Sequence, residues 1–236
     1  STTIDGSAFA SAVDGANCAI YSGPNNMIGS SFTTDTNGEF SVNIASSHLA
    51  NDLALVCDGG TYIDETDGSI QTAGTLAAYA TGDTLSADAG FNATPGSTIM
   101  FQLITDYDMD PVTAQNAFQA AFGYTPDVTV TPTDATNPAS GSSLAAIKEG
   151  LHAAAFSQLT QELGLNQNQQ FALLEAIADD LSDNIQDGLN SSVNIALVPA
   201  LIGDYFDTAS NNFRSRTVTT CSSALTASAR AISASV

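Results

Sequence analysis

Carboxylate side chains are the groups in this sequence that could bind a metal ion. The densest cluster is Asp64, Glu65 and Asp67, and further groups lie at residues 35–39 and 106–110. Clustered hard oxygens are the ligands that Ca²⁺ prefers, although none of these groups completes a twelve-residue EF-hand loop. The Asp64 cluster is more typical of a plain acidic turn. The sequence therefore leaves two interpretations open, a calcium site or a turn that binds no cofactor.

The residues that most often catalyse reactions show no recognisable arrangement. The two histidines, His48 and His152, belong to no metal-binding or catalytic pattern. No G-x-S-x-G sequence presents a serine nucleophile, and the sequence lacks nucleotide-binding glycine loops and a C-x-x-C-H haem motif. We therefore predict a protein that is not an enzyme and has no catalytic residues, with solvent-exposed or capping roles for both histidines.

Three cysteines are too few for a disulfide scaffold, and their spacing matches no zinc site. Cys18 and Cys57 lie in predicted strands, where facing thiols form a disulfide in an oxidising compartment. We predict a Cys18–Cys57 disulfide, which leaves Cys221 either unpaired or linking two subunits. Two N-x-[ST] sequons, at Asn92 and Asn190, lie in predicted loops where a glycan would fit.

Charge is distributed very unevenly along the chain. The net charge is −21, and the basic residues number only four, namely Lys148, Arg214, Arg216 and Arg230. The negative electrostatic field of such a chain repels phosphate groups. We therefore predict that neither nucleic acid nor an anionic membrane surface is a partner. The last 28 residues carry all three arginines and no acid. This basic tail could therefore lie on the acidic body of its own chain or of a neighbour.

The ends and the hydropathy of the chain suggest a compartment. The sequence begins at Ser1, contains no run of 18 apolar residues and shows no lipid-anchor motif. A start of this kind is what remains when a signal peptide has been removed. We therefore expect a processed protein without a transmembrane segment, secreted to the extracellular space or the cell surface.

Seven short strands are predicted before residue 95. Apolar residues alternate with polar ones in several segments, and turn sequences rich in Gly, Asn and Asp separate them every 8–12 residues, as in a β-sandwich. The predicted strands cover residues 3–11, 16–21, 27–34, 40–44, 53–57, 61–64 and 75–80. We therefore expect an antiparallel seven-stranded sandwich over residues 1–94.

Two segments of this region resemble a known family. The sequence D-G-A-N-C-A-I-Y from Asp14, followed by T-D-T-N-G-E-F-S-V from Thr34, is similar to the transthyretin-like sandwich of carboxypeptidase regulatory-like domains. The segment C-D-G-G-T-Y-I-D-E-T-D-G from Cys57 resembles bacterial secreted proteins that add a helical region after such a sandwich. The resemblance covers about residues 3–190 and implies a structural, adhesive or accessory module. Cys18 departs from it, standing where the family usually has an aliphatic residue.

The chain after residue 94 has helical periodicity. Ser97 is a candidate cap for a helix to residue 107, and Asp110 with Pro111 is typical of a helix start, with Gly123 ending that helix. Residues 124–143 are predicted to form a surface loop. Two further helices are predicted at residues 144–163 and 166–187. The tail is predicted to be helical, with a strand at 216–220 as the alternative. The fold prediction is thus α+β, with an α-helical domain over residues 95–236.

Asymmetry between the chain ends favours self-assembly. A contact between two different surfaces of a subunit need not close, so its repetition produces a filament. Phe9, Arg214, Arg216 and Arg230 are the candidate assembly residues, with residues 2–10 as a strand donated to the next subunit. We therefore expect a secreted structural protein that polymerises into a filament or surface matrix. The alternative is an adhesion or glycan-binding module, calcium-dependent if the Asp64 cluster binds an ion.

Overall fold

A computed structural model describes residues 1–23, 25–82, 84–86, 89–166 and 169–186, together with the backbone of residues 189–190 and 193–194. The fold is mixed α+β, as the sequence predicts, with strands before residue 94 and four α-helices after it. Within these ranges no helix combines the length and the apolar character needed to span a membrane.

Nine strands precede the first α-helix in the described chain and form three sheets. β4, β1 and β9 form one sheet in that order, β3, β2, β5 and β8 form a second, and β6 and β7 form a two-stranded ribbon. Their bounds are β1 Thr2–Ala8, β2 Asn17–Tyr21, β3 Met27–Thr33, β4 Glu39–Ile44, β5 Leu53–Asp58, β6 Thr61–Ile63, β7 Ile70–Thr72, β8 Leu76–Ala80 and β9 Gly90–Ala93. A short backbone hairpin, β10 Leu189–Asn190 and β11 Val193–Asn194, follows the helices.

The turn between β3 and β4 shows how local sequence sets this part of the fold. The Asp35 carboxylate accepts hydrogen bonds from the backbone N–H groups of Asn37 and Glu39, 2.8 and 2.9 Å away. Gly38 adopts a φ of 74°, and a Cβ there would lie 2.7 Å from the carbonyl oxygen of Ala8. Glycine is therefore required at this position both by the left-handed backbone and by the close approach of β1.

The N-terminal strand corrects two expectations. β1 lies between β4, which it pairs antiparallel, and β9, which it pairs parallel, so the sheets are not wholly antiparallel. Because both edges of β1 are already paired within the chain, residues 2–10 are not a free strand that could be donated to a neighbour. Phe9, expected at an assembly surface, is only 4% exposed. It therefore packs inside its own subunit.

Both larger sheets contribute to one apolar core. Ile4 and Phe91 enter it from the three-stranded sheet, and Ile20 and Leu55 enter it from the four-stranded sheet. Cys18 and Cys57 are directly opposite in the β2–β5 register and form a disulfide in this core, as the sequence predicts. The cystine therefore replaces an apolar cross-strand pair.

The four α-helices are α1 Pro95–Thr105, α2 Pro111–Phe122, α3 Leu144–Glu162 and α4 Gln170–Leu181. The cap of α1 is Thr94 rather than Ser97, which is the third helical residue and completes a capping box with Thr94. Asp110 caps α2 as predicted, accepting from the N–H groups of Val112 and Thr113, and Gly123 ends that helix in the left-handed conformation. Residues 124–143, as predicted, contain no helix or strand.

The helices pack around a second core, which centres on Phe118, Phe156 and Leu174. Phe171, near the start of α4, packs against both this core and the β core. The predicted helices of residues 195–236, and Cys221, lie outside the described residues.

Candidate assembly surface

The β6–β7 ribbon presents two isoleucines to solvent. Ile63 and Ile70 are directly opposite each other in its antiparallel register. They are 60% and 76% exposed, whereas Tyr62, which projects from the other face of β6, is 2% exposed. An opposed pair of apolar β-branched side chains normally gains its stabilisation by burial in a sheet. This pair therefore forms an apolar patch without a covering element among the described residues.

The outer edge of β7 has no backbone hydrogen-bond partner among the described residues. Thr61 exchanges both of its backbone hydrogen bonds with Asp14, on the side away from β7. The N–H of Ala73 donates to Gly60, so residues 71 and 73 face β6. Because backbone groups alternate in direction along a strand, the N–H and C=O groups of Ile70 and Thr72 point outward. An unpaired edge of this kind can accept a further strand.

β3, another edge strand of the described chain, is less suited to pairing. β3 forms one edge of the four-stranded sheet, but its register against β2 shifts between Cys18 and Ile20. Gly29 interrupts β3 with a φ of 73°. Irregularities of this kind protect an edge strand from further pairing, whereas β7 has neither a bulge nor a charged residue.

The turn between β6 and β7 contains the predicted calcium ligands, which point in different directions. Asp64 is fully buried and accepts a hydrogen bond of 2.9 Å from the Ser157 hydroxyl on α3. Asp67 is exposed and accepts from the N–H and hydroxyl of Ser69, which lowers the pKa of its carboxyl. No group of three or more His, Cys, Asp or Glu side chains in the described chain is arranged to hold a metal ion. Calcium binding at Asp64, Glu65 and Asp67 stays a prediction.

Glu65 is the most strongly perturbed acid of this turn. Burial, followed by the negative charges of Asp134 and Asp64, raises the pKa of its carboxyl from 4.5 to about 8, while the nearby Ser11 hydroxyl lowers it to a smaller extent. Both carboxylate oxygens are buried, and neither has a well-formed hydrogen bond to the described residues. A carboxyl group in such surroundings is more stable when it carries a proton.

Buried hydrogen bonds hold the ribbon against the helices. The Tyr62 hydroxyl donates to the Gln170 side-chain oxygen at 3.2 Å, and the Ser157 hydroxyl lies 3.2 Å from the same oxygen. The Ser157 bond to Asp64 completes this network across β6, α3 and α4. The Tyr62 ring also meets Phe171 edge to face. The inner face of the ribbon is therefore fixed, and its outer face is presented in one orientation.

A groove of about 610 Å³ lies on another side of the molecule, between α1 and the face of the four-stranded sheet turned away from its core. Tyr21, Tyr79 and Phe101 line it together with Asp52 and Asp106. The Tyr79 hydroxyl donates to Asp52 at 2.7 Å. Burial and then this contact raise the pKa of Tyr79 to about 12. The groove thus combines aromatic faces with hydrogen-bonding acids.

The remaining predicted site residues lie elsewhere. Asn92 is 1% exposed in β9, and its side chain bonds to Ser7 and Val128, so a glycan does not fit there. Asn190 is described only by its backbone in β10. Arg214, Arg216 and Arg230 lie outside the described residues.

The sequence predicts solvent-exposed or capping roles for both histidines, but His152 is buried. His152 is 8% exposed on α3 and stacks on Tyr124, with ring centroids 3.5 Å apart. Its Nδ1 atom lies 3.8 Å from Glu149. His48 lies in a short 3₁₀ helix at Ser46–Ala50 and is half-buried.

Sequence reasoning missed the exposed isoleucine pair. The pattern I-D-E-T-D-G-S-I places one isoleucine on each side of the turn, which is the arrangement of a hairpin with an apolar cross-strand pair. β7, which has three residues, was not predicted as a strand. Comparisons with protein-family models, with curated protein sequences and with solved structures each find no match for this chain.

Proposed function

We propose that this chain is a secreted, non-enzymatic structural protein whose copies assemble into an extracellular filament or surface matrix. The observation that carries the proposal is the β6–β7 ribbon, where an exposed isoleucine pair adjoins an unpaired strand edge. Backbone pairing along such an edge combines directional hydrogen bonds with apolar burial, and both contribute to association. The ribbon is also held rigidly by its buried contacts to α3 and α4, so little order is lost on docking.

Two further features support the proposal, one for a secreted location and one for specific assembly. The Cys18–Cys57 disulfide is stable in oxidising compartments and rare in reducing ones. The high net negative charge disfavours random aggregation by mutual repulsion, so a specific contact is needed to bring copies together. We propose that the three-stranded and four-stranded sheets together form the sandwich, in keeping with the transthyretin-like resemblance.

The proposal is tested by measuring association of the intact protein by sedimentation velocity over a range of concentrations. The informative variant is Ile63→Thr with Ile70→Thr, which keeps β-favouring residues while removing the apolar patch. Burial of the exposed part of two isoleucines contributes about 3 kcal/mol, so we expect association to weaken about 100-fold.

Val112→Thr is the matched control, because Val112 is an equally apolar residue 63% exposed on α2. It should leave association unchanged. If the double variant associates as strongly as the intact protein, the ribbon is not the assembly surface. A protein that stays monomeric at every concentration would contradict the proposed function as a whole.

A second candidate function, glycan-binding adhesion, is supported by the groove beside α1. Sugars bind through stacking of their apolar faces on aromatic rings and through hydrogen bonds to carboxylates and amides, and Tyr21, Phe101 and Asp52 offer both kinds of contact. Titration with a panel of soluble oligosaccharides, monitored by tyrosine fluorescence, tests it. Saturable binding that Phe101→Ala abolishes would support adhesion over assembly.

A further inference from the structure

We infer that the outer edge of β7 accepts the basic tail of a second copy of this chain, through an extended segment at residues 213–220. The inference rests on the proposed function, because it names the partner of the assembly surface. The charge pattern of the chain identifies this partner.

Acidic side chains lie at both ends of the free edge. The exposed Asp67 carboxylate accepts hydrogen bonds from Ser69, the residue immediately before β7. The exposed Asp58 carboxylate accepts from the Thr75 hydroxyl, three residues after β7 ends. The edge between them carries no charged side chain, since it reads Ile-Gln-Thr. A strand that docks here therefore needs an apolar or β-favouring stretch together with basic residues.

Only one part of the chain has that composition. Among the described residues Lys148 is the sole Lys or Arg, and it lies on α3. Residues 213–220 read F-R-S-R-T-V-T-T, in which aromatic and β-branched residues accompany Arg214 and Arg216. These residue types favour strands, and the arginines lie two positions apart, so both point to the same face of an extended segment.

The lengths also agree. Residues 69–75 span about 23 Å when extended, and an eight-residue strand spans about 26 Å. A segment of this length pairs with Ile70 and Thr72 while its arginines reach an acidic end of the edge. The opposite fields also steer the two copies into one orientation. Because the edge and the tail are different surfaces, the contact repeats from copy to copy without closing.

The test uses two variants, each of which lacks one of the two surfaces that form the contact. Thr72→Pro removes an outward N–H and blocks the edge while leaving the inward bonds of Gln71 to β6 in place. Deletion of residues 209–236 removes the tail and keeps the edge. Circular dichroism and thermal melting first establish that each variant is folded. Sedimentation velocity is then measured on each variant alone and on a 1:1 mixture.

We expect each variant alone to be monomeric and the mixture to form a heterodimer that grows no further, because it holds one intact edge and one intact tail. Introducing Arg216→Glu into the edge-blocked copy should weaken the heterodimer at least 10-fold. Lys148→Glu, the same charge change at an exposed position of α3, should leave it unchanged.

Three results would overturn the inference. A mixture that stays monomeric although the intact protein assembles means that assembly uses other surfaces. Assembly of the tail-deleted copy alone means that the tail is not the partner. Equal loss from Arg216→Glu and Lys148→Glu means that the contact is not specific to residues 213–220. By contrast, an intact protein that never assembles contradicts the proposed function itself, so the two failures are distinguishable.

Discussion

Substitution of Glu65 by glutamine should make the protein more stable at high pH and change little at low pH. The folded state holds this carboxyl with a pKa of about 8, far above its ordinary value of 4.5. Between these two values the folded state binds a proton that the unfolded state releases. The free energy of unfolding therefore falls as the pH rises through this window, and the loss is complete above about pH 8. Glutamine carries no charge, so the variant escapes this loss.

The size of the effect follows from the change in proton affinity. Each tenfold change in proton affinity corresponds to about 1.4 kcal/mol. The difference in the stability gain of the variant between pH 5 and pH 9 therefore has an upper limit of about 4 kcal/mol. Glu65 is only half-buried as a residue, and local relaxation of the turn reduces the penalty. We therefore expect the variant to gain about 2 kcal/mol relative to the natural protein between the two pH values.

Urea unfolding followed by circular dichroism at pH 5, 7 and 9 measures this difference. Glu39→Gln is the matched control, because it makes the same chemical change at an exposed position of β4. The control should differ from the natural protein by a small amount that does not depend on pH. If the Glu65 variant behaves like the control, the carboxyl is ionised in the folded state and the account of this turn is wrong.

Three other predictions concern stability. Replacing both Cys18 and Cys57 by alanine removes a cross-link with a sequence separation of 39. In chemical denaturation this should lower the free energy of unfolding by about 4 kcal/mol. An unchanged urea midpoint would show that the bond does not constrain the unfolded chain. Asp110→Ala removes the cap of α2 and should cost about 1 kcal/mol, seen as a lower melting temperature. If the acidic turn binds no ion, a chelator and millimolar calcium should give the same melting temperature, whereas a rise of several degrees that Asp67→Ala removes would indicate a bound calcium.

Local features of this fold could be predicted from the sequence because short-range chemistry determines them. The turn at Asp35 and Gly38 and the cap at Asp110 each depend on residues within four positions along the chain. The same holds for the end of α2 at Gly123. The disulfide was predictable for a different reason, since only two cysteines lie in predicted strands.

The features that escaped prediction depend on distant residues. β9 reads Gly-Phe-Asn-Ala, which lacks the alternation of a strand, and it is held by parallel pairing with β1 more than 80 residues earlier. Asp64 looks like a surface acid in the sequence, yet its partner Ser157 lies 93 residues away on α3. The exposure of Ile63 and Ile70 likewise depends on which ribbon face the helices cover. Sequence periodicity alone does not contain this information.

The central claim, that copies associate through the ribbon edge, is tested most directly by hydrogen exchange at single-residue resolution. The amide N–H groups of Ile70 and Thr72 point away from β6 and have no backbone acceptor among the described residues, so we expect them to exchange fast in an isolated subunit. The amide of Gln71 is already bonded to β6, so it serves as an internal reference. On raising the concentration from monomer to assembly, exchange at Ile70 and Thr72 should slow sharply while Gln71 changes little. Assembly that leaves exchange at Ile70 and Thr72 as fast as in the monomer would contradict the claim.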